Sequence, residues 1–284
     1  MPRVLVLSVA RCSNAGGSRP SRLPLAPLPV IAGLLAGALL FSKAALAADV
    51  ASIVVHGVSP ARAAVIQRHA EAVRSRIVDA ILGNPSPLPW DVPCEIYVHA
   101  THAGFERAVG GPPAGAGGAT AIEFAGERVA SRRIDVMGND AIPEALAHEL
   151  VHVVLADRFT RGPPPQWADE GLAILFDAPA KQAGHEADFQ AARRDGMIWS
   201  ASHLFAMDEY PAELGRQRVF YGQSAALTRW LIERRSMASF LEFVEDSAII
   251  GASEALERHY GFASPEALDR AWLGAPSRVD LGVD

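Results

Sequence analysis

Residues 141–174 read AIPEALAHELVHVVLADRFTRGPPPQWADEGLAI, and the fold turns on two short pieces of this stretch, His148-Glu149-Leu150-Val151-His152 and Trp167-Ala168-Asp169-Glu170-Gly171. The first piece sits in a segment with the marks of a helix. Asp140 can cap it, Pro143 falls in the first turn where a missing N–H costs nothing, and no breaker follows before Ala156. At helical pitch His148 and His152 stand ~40° apart, one turn above the other, with Glu149 ~60° beyond His152. Ile142, Leu146, Leu150, Val153 and Val154 fall on the other side as core positions. The second piece opens at Pro165, after a nine-residue connection, Asp157–Pro165, rich in Pro and Gly. A helix starting there puts Glu170 on the side of Trp167 and Ile174, with Leu172, Leu175 and Phe176 facing away. A connection this short permits two antiparallel, touching helices, which returns Glu170 toward the two histidines.

Two imidazoles at i and i+4, with a carboxylate from a neighbouring helix, form the donor set of an open zinc site. Such a site takes three protein ligands and keeps a position for water. His148, His152 and Glu170 are the expected ligands, Zn2+ the expected cofactor, and Glu149 the expected general base. The pentapeptide alone arises by chance in roughly one chain in a hundred of this size; the second helix with its glutamate makes the pattern specific. Asp169 reads in two ways: a carboxylate that orients a ligand histidine through its other N–H, or a solvated acid at a helix start. His56, His69, His99, His102, His185 and His259 lack ligand spacing and read as surface or core residues.

Outward from this stretch, Ser52–His56 is a β-branched run. Ser59-Pro60 opens a helix to Leu82, with Val65, Ile66, Val73, Ile77, Ile81 and Leu82 as its apolar positions. Glu95–His99 alternates like a strand, Ala103–Val109 suits a short helix, and Gly110–Gly118 is a loop by composition that could cover a cleft. Ala121–Phe124 and Arg133–Met137 are further strand candidates; from Ala141 the pattern stays helical. The expected class is α+β: an α/β lobe over about 48–140 and a mainly helical lobe over about 141–284, together one domain.

Residues 1–47 read as a secretory signal peptide. Arg19 and Arg22 precede an apolar stretch centred on Val30–Phe41, and Ala45-Leu46-Ala47 suits cleavage before Ala48. The alternative is an uncleaved N-terminal anchor, the only membrane attachment expected. Either way the domain is expected to be exported, to a periplasm or outside the cell. Of the 26 basic side chains five (Arg3, Arg11, Arg19, Arg22, Lys43) lie in this leader, which has no acid; 21 basic then face 32 acidic ones in the remainder, a formal charge of −11. A chain so acidic is not expected to bind nucleic acid, because phosphate contacts draw on clustered Lys and Arg. Cys12 departs with the leader, leaving Cys94 as a small buried apolar residue with no partner for a disulfide.

On these motifs the sequence resembles the gluzincin metallopeptidases, and within them the compact peptidase MA-like family, in which H-E-x-x-H is followed by W-x-x-E-G. Tyr221-Gly222-Gln223-Ser224, with the helix to Arg234, is similar to that family's Y-x-Q-S segment, and Ala255–Leu273 with Trp272 to its closing helices. The resemblance covers most of 95–273. It implies a zincin-like fold, with a twisted sheet above the active-site helix, helices below, and an edge strand lining the cleft, for which Arg133–Met137 is the candidate. It implies hydrolysis of a peptide or protein substrate, with Tyr221, or failing that His203, donating to the developing oxyanion. On the residues alone Tyr221 also reads as a half-buried core tyrosine. Two departures matter: there is no G-A-M-E-N-like segment, and Ile174 stands where thermolysin-like enzymes carry an aspartate four residues after the ligand glutamate. The competing expectation is a zinc-binding but non-hydrolytic envelope or partner-binding module on the same fold.

Overall fold

The computed structural model describes residues 3–8, 52–84, 87–111, 116–138 and 142–274. The architecture is mixed α+β. Five strands, β1 (Arg3–Ser8), β2 (Ile53–His56), β3 (Cys94–His99), β4 (Gly118–Ala125) and β5 (Arg128–Met137), form one sheet in the order β1-β4-β5-β3-β2. β2, β3 and β5 run parallel, while β4 is antiparallel to both β5 and β1. The β4–β5 hairpin closes through Gly126-Glu127. Gly126 takes φ 67° while no described non-glycine residue has a positive φ, the pattern of a type II′ turn, whose twist suits paired strands.

One face of the sheet is a core. Helix α1 (Pro60–Leu82) crosses between the parallel strands β2 and β3, and its Ile66, Ala70, Val73, Ile77 and Ile81 are buried. Val65 and Leu82, expected with them, are exposed instead. Cys94, Ile96 and Val98 of β3 share that core with Ile134 and Val136 of β5 and Ile122 and Phe124 of β4. The opposite face is covered at one end by α2 (His102–Val109), whose Phe105 packs with Ala116 and Ala119; elsewhere it carries Glu95, Tyr97, Arg133 and Asp135.

The expectation that Arg133–Met137 lines a cleft as the edge strand is corrected. β5 is central, hydrogen-bonded to β4 on one side and β3 on the other. Its three arginines are all paired: Arg128 with Asp91 at 3.8 Å, Arg132 with Asp157 at 2.5 Å and Arg133 with Asp135 at 2.6 Å. Of the expected flap, residues 112–115 lie outside the described residues. Its end is not loop, since Gly118 opens β4 and Gly117 accepts a hydrogen bond from Met137 N–H. β1 falls within the segment read as a leader; Val30–Phe41, the cleavage site and Cys12 lie outside the described residues, as does Asp140.

Beneath the sheet lies α3 (Leu146–Arg158), followed by α4 (Gln166–Ile174), α5 (Pro179–Arg194), α6 (Ala201–Phe205), α7 (Leu214–Arg234), α8 (Met237–Ile250), α9 (Ala252–Tyr260) and α10 (Pro265–Leu273). No described helix is long and apolar enough to cross a membrane. Trp167 anchors α4 in an aromatic cluster with Phe205, Phe240 and Phe243. Helix α7 passes between α4 and α5, and a glycine stands at each crossing. A Cβ on Gly171 would lie 2.2 Å from Thr228 Oγ1 and 2.7 Å from the Ser224 carbonyl; one on Gly222 would lie 2.5 Å from the His185 carbonyl. The glycines of both sequence motifs are therefore packing requirements.

Gly171→Ala is expected to destabilise the fold by about 1–3 kcal/mol through overpacking, whereas Gly184→Ala, with open space at its position in α5, should be neutral or gain the helix propensity of alanine. Thermal unfolding of the two variants checks this; equal melting shifts would contradict the close approach of α4 and α7.

Candidate metal centre

Helix α3 runs through the core with polar side chains on board. His148, Glu149 and His152 are as inaccessible as Leu150 and Val153. Burying such groups costs several kcal/mol each unless they are partnered, so their contacts define the site. Each histidine is tied at Nδ1: His152 to Asp169 Oδ1 at 2.8 Å, and His148 to Asp177 Oδ2 at 3.3 Å. A carboxylate can only accept, so these bonds place the proton on Nδ1 and fix the ring. The opposite nitrogens then face a common point. Ligand atoms of His148, His152 and Glu170 all lie within 4.8 Å of one another, and His148 Nε2 is 3.2 Å from Glu170 Oε2. His152 Nε2 is buried with no hydrogen-bond partner. An orphaned imidazole nitrogen aimed at another imidazole and a carboxylate fits a cation, and these residues could hold a metal ion.

Electrostatics follow from the same contacts. Burial opposes charge on His148, but Asp177 and Glu170 outweigh it and push its pKa up to about 10. Burial likewise opposes charge on His152, and Asp169 and Glu170 still raise it. Burial works against Glu170 too, yet the two histidines and a phenol hold its carboxyl below the usual range. For Glu149 burial wins over both histidines and raises its pKa.

The three expected ligands, His148, His152 and Glu170, lie together. Glu149 lies beside the cluster with Oε2 accepting from the Thr120 hydroxyl at 2.6 Å, while Oε1 is buried without a partner. Asp169 holds a histidine rather than facing solvent. Tyr221 is buried on α7, its ring 6.0 Å from that of His185 and 6.2 Å from that of Tyr210. His203 stands exposed on α6, stacked on Trp199. His99 pairs with Asp135, His259 with Asp246, His102 with Glu106, and His56 stacks on Tyr97, all outside the cluster.

Five residues of the site, Asp177, Lys181, Thr120, Gly118 and Tyr210, escaped the sequence reading. Asp177 accepts from His148 Nδ1 at 3.3 Å. It stands seven residues after Glu170, just past the end of α4, where a tight i→i+3 turn carries the chain. Lys181, the sole lysine after residue 47, bonds its other oxygen at 3.0 Å. Thr120 and Gly118 belong to β4. Thr120 is the one hydroxyl on an inner strand face otherwise made of Ile122 and Phe124. A Cβ on Gly118 would lie 2.4 Å from Glu149 Oε1, so only glycine leaves that carboxylate its place. Tyr210, between α6 and α7, donates to Glu170 Oε1 at 2.6 Å. His185 lies beside Tyr221, its pKa pushed down to about 4 by burial and by Lys181.

No protein-family profile matches the chain, and no curated protein matches it.

Carboxylates that orient ligand histidines are worth about 10–100-fold in metal affinity. Asp169→Asn and Asp177→Asn should each weaken zinc binding by that order in a chelator-competition titration, with helical content unchanged by circular dichroism. Affinities equal to wild type would show that neither carboxylate sets the histidines.

Proposed function

We propose that the chain is an exported, zinc-dependent peptidase of the gluzincin type, with the zincin-like fold that this implies. The observation that carries the reading is a buried cluster of three ligand atoms with an unpaired carboxylate oxygen, Glu149 Oε1, beside it. The donor set favours zinc: two imidazoles and one carboxylate, both imidazoles braced at Nδ1 so that Nε2 is the ligand atom, with three protein ligands leaving a coordination position open. Held by His148, His152 and Glu170, zinc supplies Lewis acidity toward a water molecule and the scissile carbonyl.

The remaining steps belong to the chain. Glu149 takes a proton from the attacking water as oxygen bonds to the carbonyl carbon. It then returns that proton to the departing amine as the C–N bond breaks, giving one carboxylic acid and one amine. Thr120 holds Oε2, which leaves Oε1 to carry the proton. Burial raises the Glu149 pKa, which brings the base closer to neutrality and eases the return of the proton. Tyr221 is the phenol assigned to the developing oxyanion.

Two further features support a peptide as substrate. Loss of residues 1–47 takes β1 with it, freeing the outer edge of β4 beside Glu149, where an extended chain can add as a strand. The acidic balance of 48–284 speaks against nucleic acid. The leader supports export to a periplasm or beyond, with an uncleaved N-terminal anchor as the membrane-bound variant. The non-hydrolytic alternative is disfavoured by Glu149 itself. A purely structural centre has no use for a buried carboxylate with an unpaired oxygen, and burying one is costly.

Glu149→Gln should retain stoichiometric zinc and lose about 10²–10⁴-fold in turnover of a peptide library, while Glu170→Ala should lose the metal. Zinc analysis alongside the cleavage assay separates the two. Wild-type cleavage that survives complete removal of zinc would refute the mechanism.

A further inference from the structure

The two oxygens of Glu170 have different neighbours. Oε2 lies 3.2 Å from His148 Nε2, within the ligand cluster, while Oε1 accepts the Tyr210 phenol at 2.6 Å. A carboxylate can ligate a cation through one oxygen or through both, and a second oxygen would occupy the coordination position that a substrate carbonyl needs. Tyr210 is held to its task by packing. Its ring meets Phe220 edge-on at 5.7 Å and tilts against Tyr221 at 6.2 Å, both from α7, the helix that also fixes α4 through Gly171. A half-buried phenol next to a buried carboxylate gives a short, charge-assisted bond that turning the carboxylate would break.

We infer that Tyr210 is a positioning residue that makes Glu170 a one-oxygen ligand and so keeps the metal centre open. The inference rests on the reading of His148, His152 and Glu170 as metal ligands. It also explains the placement of a tyrosine from outside the motif helices: the W-x-x-E-G helix delivers the carboxylate, and a separate element sets which of its oxygens faces the cluster. Asp169 and Asp177 fix the two histidines, and Tyr210 is the corresponding brace on the third ligand.

The test compares the full chain with its Tyr210→Phe variant, loaded in turn with zinc and with cobalt(II). The variant is expected to bind zinc about 10–100-fold more weakly, the range for loss of a group that orients a ligand. Its cobalt form should show a weaker visible absorption band, because absorptivity falls as coordination number rises. Zinc affinity and cobalt spectrum both equal to wild type would overturn the inference, and loss of turnover alone would instead assign the phenol to substrate. X-ray absorption at the zinc edge of the unaltered holoprotein reads the same point without a variant. One carboxylate oxygen in the first shell supports the inference; two at similar distance overturn it, even if Tyr210→Phe fails to fold. A wild-type chain that binds no metal would sink the metal reading itself, whereas a metal-binding wild type with an indifferent variant would sink only the role of Tyr210.

Discussion

A helix that carries two imidazoles and a carboxylate through a hydrophobic core must find a partner for each of them, and the site is organised around that requirement. Helix α3 is covered by the sheet and α1 on one side and by α4 on the other, so its polar side chains have little water to fall back on. Asp169 and Asp177 take the outer nitrogens of the histidines, Glu170 approaches their inner nitrogens, and Thr120 takes one oxygen of Glu149. What is left over is specific: His152 Nε2 and Glu149 Oε1. Leftover donors and acceptors are expensive in a core, and here they face one another's neighbourhood, where a cation and a solvent molecule would satisfy both.

The helical half of this arrangement was legible in the sequence because its determinants are local. The i, i+4 histidines, the breaker-rich connection and the glutamate of the following helix fix three side chains once the two helices touch, and helical periodicity says that they can. α1, α2, β3 and α4 likewise follow from patterns within their own residues. The role of the two motif glycines is not local: only coordinates show that Gly171 admits Thr228 and Gly222 admits the backbone of α5.

The other half comes from elements distant in sequence. Gly118 and Thr120 sit at the end of a glycine-rich loop and give no local sign of a role. Their meaning appears only when β4 is laid beside α3. The choice of Arg133–Met137 as edge strand failed because strand order is set by pairing between segments distant in sequence, which places β4 on one side of β5 and β3 on the other, while Arg132 of that strand reaches Asp157 at the end of α3. Trp90 adds to this: it donates to Asp157 at 2.6 Å while Arg74 and Arg132 lie over its ring, so the end of α3 is fastened to the sheet by charge as well as by apolar contact. Asp177 gave no sign by helical spacing, because it lies past the end of α4 and reaches His148 through the turn that follows the helix.

A cation held between α3 and α4 is what the leftover groups of the site require. Anomalous diffraction from crystals of the zinc-loaded chain, recorded on either side of the zinc edge, addresses it most directly. The predicted result is a single strong peak at bonding distance from His148 Nε2, His152 Nε2 and Glu170 Oε2. A peak elsewhere, or none at this position in protein saturated with zinc, would contradict it.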